Sequence, residues 1–253
     1  MIVLDFMIGD PRIEFIKRKL SALDNVHVFI SGKGGVGKSI VSALLSLCLV
    51  ERGFKVGLVD LDLTNPTLHI ILGVNPKSIS IIEEGGVKPI DVHGVKFFSP
   101  VFFTLDEPLP LRGSHVVEAL RELLTIVNLS EVNTLLLDMP PGVKEEILEI
   151  SRLPKVNNVI VASQDLLGIR SALRLAKFLK EEGIGRIMLI ENLSTTGKPL
   201  LQPTLVEGVV HLGVLPYDPT LREALGDIKL LVKTNLYGAT CNLVDRLMVG
   251  ARL

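Results

Sequence analysis

The sequence is short of cysteine and of long uncharged apolar runs. Its 253 residues include only two cysteines, Cys48 and Cys241. Two are too few for a disulfide framework, and too few for a metal cage built by one chain. No window long enough to span a bilayer lacks charged residues, and residues 1–15 have neither a basic region nor a small-residue cleavage site. We therefore expect a soluble, cytoplasmic protein.

An excess of charge of one sign is also missing. Lysine and arginine total 27 against 28 aspartates and glutamates, and no acidic or basic block stands out. Overall charge therefore gives no support for sequence-independent binding to nucleic acid. The chain has no repeat and no long Pro/Gly/Ser linker, and 47% hydrophobic residues suffice for a large core. We expect a single domain over residues 1–253.

Apolar runs typical of strands alternate with helical patterns along the chain. Strands are predicted at 26–31, 55–62, 134–139, 158–163, 186–192 and 209–216, and helices at 10–23, 38–53, 114–127 and 169–183. Continuous apolar strands are typical of a parallel sheet covered on both faces. The predicted fold is α/β, a doubly wound, mostly parallel sheet with helices on both faces. Residues 78–105 are less regular and are predicted to form a hairpin at the sheet edge.

The first predicted helix, residues 10–23, carries its own start signal. Asp10 is a good N-cap and Pro11 suits the first helical turn. Its apolar residues recur on one face, and its basic residues lie mostly off that face. The pattern favours a helix laid on the protein body with a solvated basic side, and docking on a membrane or partner is the alternative.

The stretch GKGGVGKS, residues 32–39, matches the phosphate-binding pattern G-x-x-x-x-G-K-[ST]. Glycines let backbone N–H groups turn inward around an anion, and the following helix presents its positive N-terminus. Lys38 is predicted to reach the β- and γ-phosphates of ATP, and the Ser39 hydroxyl to bind Mg²⁺. The residues of this loop predicted to bind ATP are Gly32, Lys33, Gly34, Gly35, Val36, Gly37, Lys38, Ser39 and Ile40.

A second lysine, Lys33, occupies a position that the general pattern leaves free. The string KGGVGKS resembles the deviant loop of the SIMIBI-class ATPases, which include ParA, MinD, Mrp and nitrogenase iron proteins. The resemblance implies a homodimer around two sandwiched nucleotides. In it, Lys33 reaches into the partner's site and stabilises charge on the transferring phosphoryl group. The alternative is an exposed lysine that never meets phosphate.

Three aspartates lie at the carboxyl ends of predicted strands, the sheet edge where ligands bind in such folds. By resemblance, Asp62 is the catalytic residue that orients the attacking water, acting with Lys33 and Lys38. Asp60 is predicted to support the waters of Mg²⁺ or the loop lysine. Asp138, in a D-x-P-P-G string, is predicted to hold Mg²⁺ through an ordered water, so the metal residues are Ser39, Asp60 and Asp138. The alternatives are a turn carboxylate for Asp62 and a cap for Asp138.

Two further residues carry a resemblance to the family's base-binding segments. Asn192 follows a strand and is predicted to pair with adenine through its amide. Pro216 begins the loop predicted to pack on the base. Asparagine at a strand end is otherwise a common turn residue.

The segments between these motifs resemble the Mrp and cytosolic iron–sulfur assembly ATPases, including the Arg112–Gly113 pair before a helix. The resemblance implies an ATP-hydrolysing carrier or scaffold. The family's C-x-x-C, expected after Asn192, is missing, which argues against an iron–sulfur cluster. Cys48 is predicted to be a small apolar side chain in a buried helix, and Cys241 leaves one thiolate per subunit.

Two other functions stay open from the sequence. A MinD- or ParA-like positioning ATPase would cycle on a membrane, DNA or a protein partner. The C-terminal residues 242–253 have few basic side chains, which favours packing on the domain. The third possibility is a non-catalytic ATP-gated binding module, which the intact Lys33, Lys38, Asp62 and Asp138 disfavour. The partner or cargo is not named by the sequence.

Overall fold

A computed structural model describes residues 10–107, 111, 113–142, 145–200 and 207–250. The strands are β1 (Asn25–Ile30), β2 (Val56–Asp60), β3 (Ile90–Val92), β4 (Val95–Phe98), β5 (Thr134–Asp138), β6 (Val156–Ser163), β7 (Ile187–Ser194) and β8 (Val209–Pro216). The helices are α1 (Pro11–Ser21), α2 (Lys38–Glu51), α3 (Leu68–Ile71), α4 (Val101–Thr104), α5 (Ser114–Ile126), α6 (Glu145–Ser151), α7 (Leu166–Glu181), α8 (Leu221–Ala224), α9 (Ile228–Leu231), α10 (Asn235–Cys241) and α11 (Val244–Gly250). The expectations about a signal peptide, Arg112 and the end of the C-terminal tail fall on residues 1–9, 112 and 251–253, outside the described residues.

The strands form one eight-stranded sheet in the order β3-β4-β2-β5-β1-β6-β7-β8. Every pair is parallel except β3 with β4. The residues of β2, β5 and β6 are all buried, and so are those of β1 after Asn25. Successive strand side chains point to opposite faces, so both faces of the sheet are covered. The predicted doubly wound α/β fold with helices on both faces is confirmed.

The predicted edge hairpin is also present. Strands β3 and β4 pair antiparallel, with Val92 opposite Val95. His93 and Gly94 between them have φ angles of 51° and 85°. Two consecutive positive φ values are what a two-residue hairpin turn requires, because they match the twist of the flanking strands.

Helix α1 lies on the protein body, as the sequence favoured, and the structure places it against α5. The Asp10 carboxylate caps it by accepting from the Arg12 N–H at 2.9 Å. The sequence predicted that the basic side chains of this helix would face solvent, but two of them bind to the protein body. Arg12 pairs with Asp10 and Glu118, and Lys19 Nζ donates to three backbone carbonyls at the end of α5. Among the described residues, no helix is long and apolar enough to cross a bilayer.

The two cysteines form a disulfide, which corrects the sequence prediction. Cys48 is buried in α2, as expected, but its sulfur is bonded to that of Cys241 at the end of α10. The two Cα atoms lie 5.2 Å apart although the residues are 193 positions apart in the chain. Spacing along the chain says nothing about such a contact, because it arises only when α10 packs on α2. Neither thiol is free in this structure.

A buried histidine on β1 makes stability depend on pH. His27 is fully buried, neither ring nitrogen has a hydrogen-bond partner among the described residues, and burial lowers its pKa to about 4. The unfolded chain, with a pKa near about 6.5, therefore takes up the proton first as the pH falls. We expect this group to lower the free energy of unfolding by up to about 3 kcal/mol between about pH 6.5 and 4.

The matched variant for this effect is His27→Leu, which keeps the volume similar and removes the titrating group. Denaturant unfolding of both proteins across this pH range measures the difference. The variant is expected to lose this part of the acid sensitivity and to be at least as stable near neutral pH. Equal dependence on pH in the two proteins would contradict the assignment.

Candidate functional site

The loop between β1 and α2 has a backbone that only its glycines adopt readily. Gly35 and Gly37 have φ angles of 76° and 83°, in the left-handed region, where other residues are strained. A Cβ on Gly37 would also overlap the Asn192 amide, and one on Gly32 would overlap Ser171 of α7. Both glycines of the G-x-x-x-x-G-K-[ST] pattern, Gly32 and Gly37, are therefore required by close packing, and Gly37 is required by its conformation as well.

The other predicted loop residues are spread between core and surface. Val36 is buried, Ile40 packs against the core from a partly buried position, and Gly34 lies beside Pro141 of the D-x-P-P-G turn. The turn is tied to the loop through the backbone, because the Gly142 N–H donates to the Ser31 carbonyl at 2.9 Å. The loop and the turn are therefore in direct contact.

Lys38, Ser39 and Asp138 converge at the mouth of the loop. The Lys38 ammonium lies 2.6 Å from Asp138 Oδ2, with both side chains buried. The Ser39 hydroxyl donates to the same oxygen at 2.6 Å, and the Ser42 hydroxyl donates to Oδ1 at 3.0 Å. The loop lysine, the predicted metal-binding hydroxyl and the carboxylate at the end of β5 thus form one cluster.

Asp60 and Asp62 stand beside this cluster because β2 pairs with β5 and Asp60 lies opposite Asp138. Asp60 is wholly buried; this burial, together with the neighbouring Asp138 charge, raises its pKa well above the usual value. Its carboxylate accepts from the N–H groups of Asp62 and Leu68 at 3.1 and 3.3 Å. Asp60 therefore also organises the loop after β2.

Asp62 has one oxygen committed to its own turn. Oδ1 accepts from the Thr64 hydroxyl at 3.0 Å and from the Asn65 N–H at 3.1 Å. Oδ2 accepts no hydrogen bond from the described residues. The side chain is fixed in place by these contacts, and the second oxygen is left to accept a proton or orient a water.

The donor set suits Mg²⁺ with a bound nucleotide. Serine hydroxyl and carboxylate oxygens are the hard ligands that Mg²⁺ prefers, and Mg²⁺ takes few protein ligands when phosphates and waters complete its shell. In the described part of the chain, no group of three or more His, Cys, Asp or Glu side chains is placed to hold a metal alone. Ser39 and Asp138 therefore fit a metal that arrives with phosphate.

The two predicted base-binding residues lie at neighbouring strand ends. Asn192 Nδ2 donates to the Val36 carbonyl at 2.9 Å, so this amide touches the phosphate loop. Its Oδ1 is buried and has no hydrogen-bond partner among the described residues. Pro216 ends β8 opposite Ser194 of β7, and the Tyr217 N–H donates to the Ser194 carbonyl at 2.8 Å. The two segments are held together as one edge of the site.

Lys33 lies apart from the cluster around Lys38. Its ammonium is partly exposed and lies 3.1 Å from Asp165 Oδ2. Asp165 caps α7 by accepting from the N–H groups of Leu167 and Gly168, both at 2.9 Å. The pKa of Asp165 is held far below its usual value, first by the Ser163 hydroxyl, then by the Gly168 N–H and Lys33. Lys33 therefore lies on the surface of the chain, paired with the residue that caps α7.

The sequence predictions missed Asp165 and Ser42. Ser42 lies three residues after Ser39 on α2, and that spacing places both hydroxyls on one helix face. Asp165 follows β6 at the same sheet edge as Asp60 and Asp138, so the rule that found those two also applies to it. Both residues had a usable signal in the sequence.

Comparison with known proteins agrees with this geometry. The family model for ParA, described as NUBPL iron-transfer P-loop NTPase, matches residues 22–203, most of the chain. The chain belongs to this family. Membership of this P-loop NTPase family agrees with the fold and the nucleotide-binding loop that the sequence predicted.

Curated relatives have names that refer to iron–sulfur assembly. A cytosolic Fe-S cluster assembly factor, the Nubp2 homolog of Drosophila sechellia, is 32% identical over 230 residues, covering 82% of this chain and 88% of the relative. The NUBP2 homolog of Culex quinquefasciatus, with the same description, is 30% identical and covers 89% of this chain and 95% of the relative.

Solved structures share the fold. A nucleotide-binding protein of Archaeoglobus fulgidus in complex with ADP superimposes with a TM-score of 0.65 at 25% identity, covering 87% of this chain and 92% of that one. The cell division ATPase MinD of Pyrococcus furiosus has a TM-score of 0.64 at 22% identity, with 89% and 98% covered, and shows the fold alone. The expected ParA-type P-loop ATPase, similar to the cytosolic iron–sulfur assembly ATPases, is confirmed by the family model and the curated relatives.

Proposed function

We propose that this NUBPL-type P-loop NTPase is an ATP-hydrolysing, nucleotide-switched homodimer that acts as a cytoplasmic carrier or scaffold. One observation carries the proposal. Buried Lys38 and the Ser39 hydroxyl both lie 2.6 Å from Asp138 Oδ2, at the N-terminus of α2. A lysine, a hydroxyl and a carboxylate at a helix N-terminus provide what a Mg²⁺-bound triphosphate needs.

Each side chain has a separate task in ATP binding. Lys38 leaves Asp138 and binds the β- and γ-phosphates, and the loop amides from Gly34 to Ser39 surround them. Ser39, together with waters held by Asp138 and Asp60, would hold Mg²⁺, which would supply positive charge to neutralise the phosphates. Asn192 Oδ1, which is buried without a partner, accepts a hydrogen bond from the adenine amino group, and the loop from Pro216 packs on the base.

Hydrolysis depends on the loop after β2 and on the second subunit. Asp62 Oδ2 orients the attacking water for in-line displacement while Oδ1 keeps the turn fixed through Thr64 and Asn65. Lys33 breaks its pair with Asp165 and enters the partner's site, where it stabilises charge on the transferring phosphoryl group. That pair is partly exposed, so it costs only about 1 kcal/mol or less to break. The switch between ATP and ADP states then changes the dimer.

The experiment that tests this proposal is ATP turnover and ATP binding by the wild-type protein, with Lys38→Ala as the inactive control. We expect slow, Mg²⁺-dependent turnover that Lys38→Ala abolishes or reduces severely, with weakened ATP binding. Firm ATP binding with no turnover would instead support an ATP-gated binding module.

The cargo to be tested is an iron–sulfur cluster. It is suggested by the family model, whose description names iron transfer, and by relatives whose names refer to Fe-S cluster assembly. The disulfide between Cys48 and Cys241 leaves no thiol to bind a cluster until it is reduced. The test is iron per dimer after anaerobic reconstitution, with and without prior reduction, beside a Cys241→Ser control. Near-stoichiometric iron that requires reduction and Cys241 supports an iron–sulfur cargo. Iron at background separates the ATP switch from cluster transfer.

A further inference from the structure

We propose that Leu166 and Leu167, in the first turn of α7, form the apolar centre of the surface on which a second copy of this chain docks across the nucleotide. The proposal rests on the proposed ATP-dependent homodimer and identifies the side chains that hold it together. Three observations carry it: the exposure of the two leucines, their rigid attachment to the site, and their position beside Lys33.

The first observation is an unusual exposure of large apolar side chains. Leu166 and Leu167 are 66% and 69% exposed, the highest values among the exposed large hydrophobic residues in the described part of the chain. They are consecutive residues in the first turn of α7, so both contribute apolar surface to the same end of the helix. Covering two leucine side chains is favourable, and exposed apolar patches at the edge of a ligand site commonly mark an interface.

The second observation is that the first turn of α7 is fixed to the phosphate loop. Asp165 caps the helix by accepting from the Leu167 and Gly168 N–H groups. Gly168 of α7 packs so closely on Ser163, at the end of β6, that a Cβ on Gly168 would overlap it. Gly32 of the phosphate loop packs equally closely on Ser171 of α7. The leucines are therefore presented on a rigid element next to the nucleotide, which lowers the entropic cost of docking.

The third observation places the leucines beside the residue that has to cross between subunits. Lys33 Nζ lies 3.1 Å from Asp165, the residue that precedes Leu166. A partner close enough for Lys33 to reach its phosphates must also cover the adjoining turn of α7. In a two-fold dimer, the same patch meets itself on both subunits.

The charges around the leucines favour a second copy over a different partner. Lys33 and Asp165 form an ion pair beside the leucines, so the patch carries no excess charge of one sign that would repel a two-fold-related copy as it approaches. Lys33 then leaves this pair for the partner's phosphates. An acidic partner would instead lie along the exposed Arg170 and Arg174, farther from the nucleotide. We assign the leucines to the homodimer, and binding of another protein there is an outcome of the test.

The test variant is the double substitution Leu166→Gln/Leu167→Gln. The control is Leu230→Gln/Val249→Gln, a double substitution of two exposed apolar residues elsewhere, on α9 and α11. Glutamine is a good helix former, so neither double variant disturbs its helix much. Sedimentation velocity over a range of protein concentrations, with Mg²⁺ and a non-hydrolysable ATP analogue, gives the dimer dissociation constant. Titration with a fluorescent ATP analogue, at protein concentrations where each variant is monomeric, checks that the nucleotide site is folded.

We expect the Leu166/Leu167 variant to raise the dimer dissociation constant at least about thirtyfold, while the control stays within about threefold of the wild type. ATP binding by the monomers is expected to be unchanged in both. A wild-type protein that stays monomeric with the analogue would overturn the proposed dimer itself. A wild-type dimer that the Leu166/Leu167 variant forms equally well would overturn this inference alone.

A second measurement keeps the inference testable if the variant folds poorly. Leu167→Cys adds one accessible thiol to a chain whose own cysteines are bonded to each other. A short bis-maleimide is expected to link two Leu167→Cys subunits in the presence of Mg²⁺ and the ATP analogue, and not with ADP. Linkage independent of nucleotide, or none while the dimer is present, would contradict the placement of Leu167.

Discussion

Lys33→Ala is expected to lower the turnover number for ATP about a thousandfold while the dissociation constant for ATP stays within about threefold. The reason is that the two lysines lie in different places and are proposed to act on different nucleotides. Lys38 is buried at the mouth of the loop beside Ser39 and Asp138, whereas Lys33 is paired with Asp165 on the surface of the same subunit. In the proposed dimer, loss of Lys33 is therefore expected to leave the site of its own chain intact and to remove charge stabilisation from the partner's site.

Single-turnover hydrolysis and equilibrium binding of a fluorescent ATP analogue separate the two effects. Lys229→Ala, an exposed lysine on α9, is the matched control and is expected to behave as the wild type. Turnover by Lys33→Ala at the wild-type rate, with dimerisation unaffected, would remove Lys33 from the catalytic machinery.

Removal of the disulfide is expected to lower the free energy of unfolding by about 5 kcal/mol. The bond joins residues 193 positions apart, and a loop of that length restricts the unfolded chain strongly. Such a loss is a large share of the stability of an ordinary domain. Denaturant unfolding of the wild type and of Cys48→Ala/Cys241→Ala measures the difference. The bond fixes α10 to α2, which begins in the phosphate loop, so we expect ATP binding to weaken near the unfolding midpoint.

The control for this prediction is a reducing agent. It is expected to destabilise the wild-type protein and to leave the double variant unchanged. Two thiols that react with an alkylating reagent in the unfolded, unreduced protein would show that Cys48 and Cys241 are not bonded.

The parts of the fold that follow local rules were predictable from the sequence. Asp10 and Pro11 mark the start of α1, and the glycines of residues 32–37 mark the loop. Asp60 and Asp138 were expected at one edge because the carboxyl ends of parallel strands meet there, and β2 does pair with β5. In each case the information lies within a few residues or follows from a rule about strand ends.

Contacts between distant segments were not predictable from one sequence. The approach of Cys241 to Cys48 depends on how α10 packs on α2, and nothing in the spacing of two cysteines reports it. The Lys33–Asp165 pair likewise depends on the docking of α7 against Gly32. The exposure of Leu166 and Leu167 also follows from that docking, because the position of α7 decides which of its side chains meet solvent.

The central claim, that Lys33 completes the site of a second subunit, is tested most directly by mixing two inactive variants. A Lys33→Ala subunit keeps Asp62 in its own site but supplies no lysine to its partner. An Asp62→Asn subunit supplies the lysine to its partner but lacks, in its own site, the residue that orients water. Each alone is expected to hydrolyse ATP hardly at all. Mixed in equal amounts, they are expected to recover about a quarter of wild-type activity, since half of the dimers hold one complete site. A mixture that stays inactive, with mixed dimers demonstrated by differential labelling, would contradict the claim.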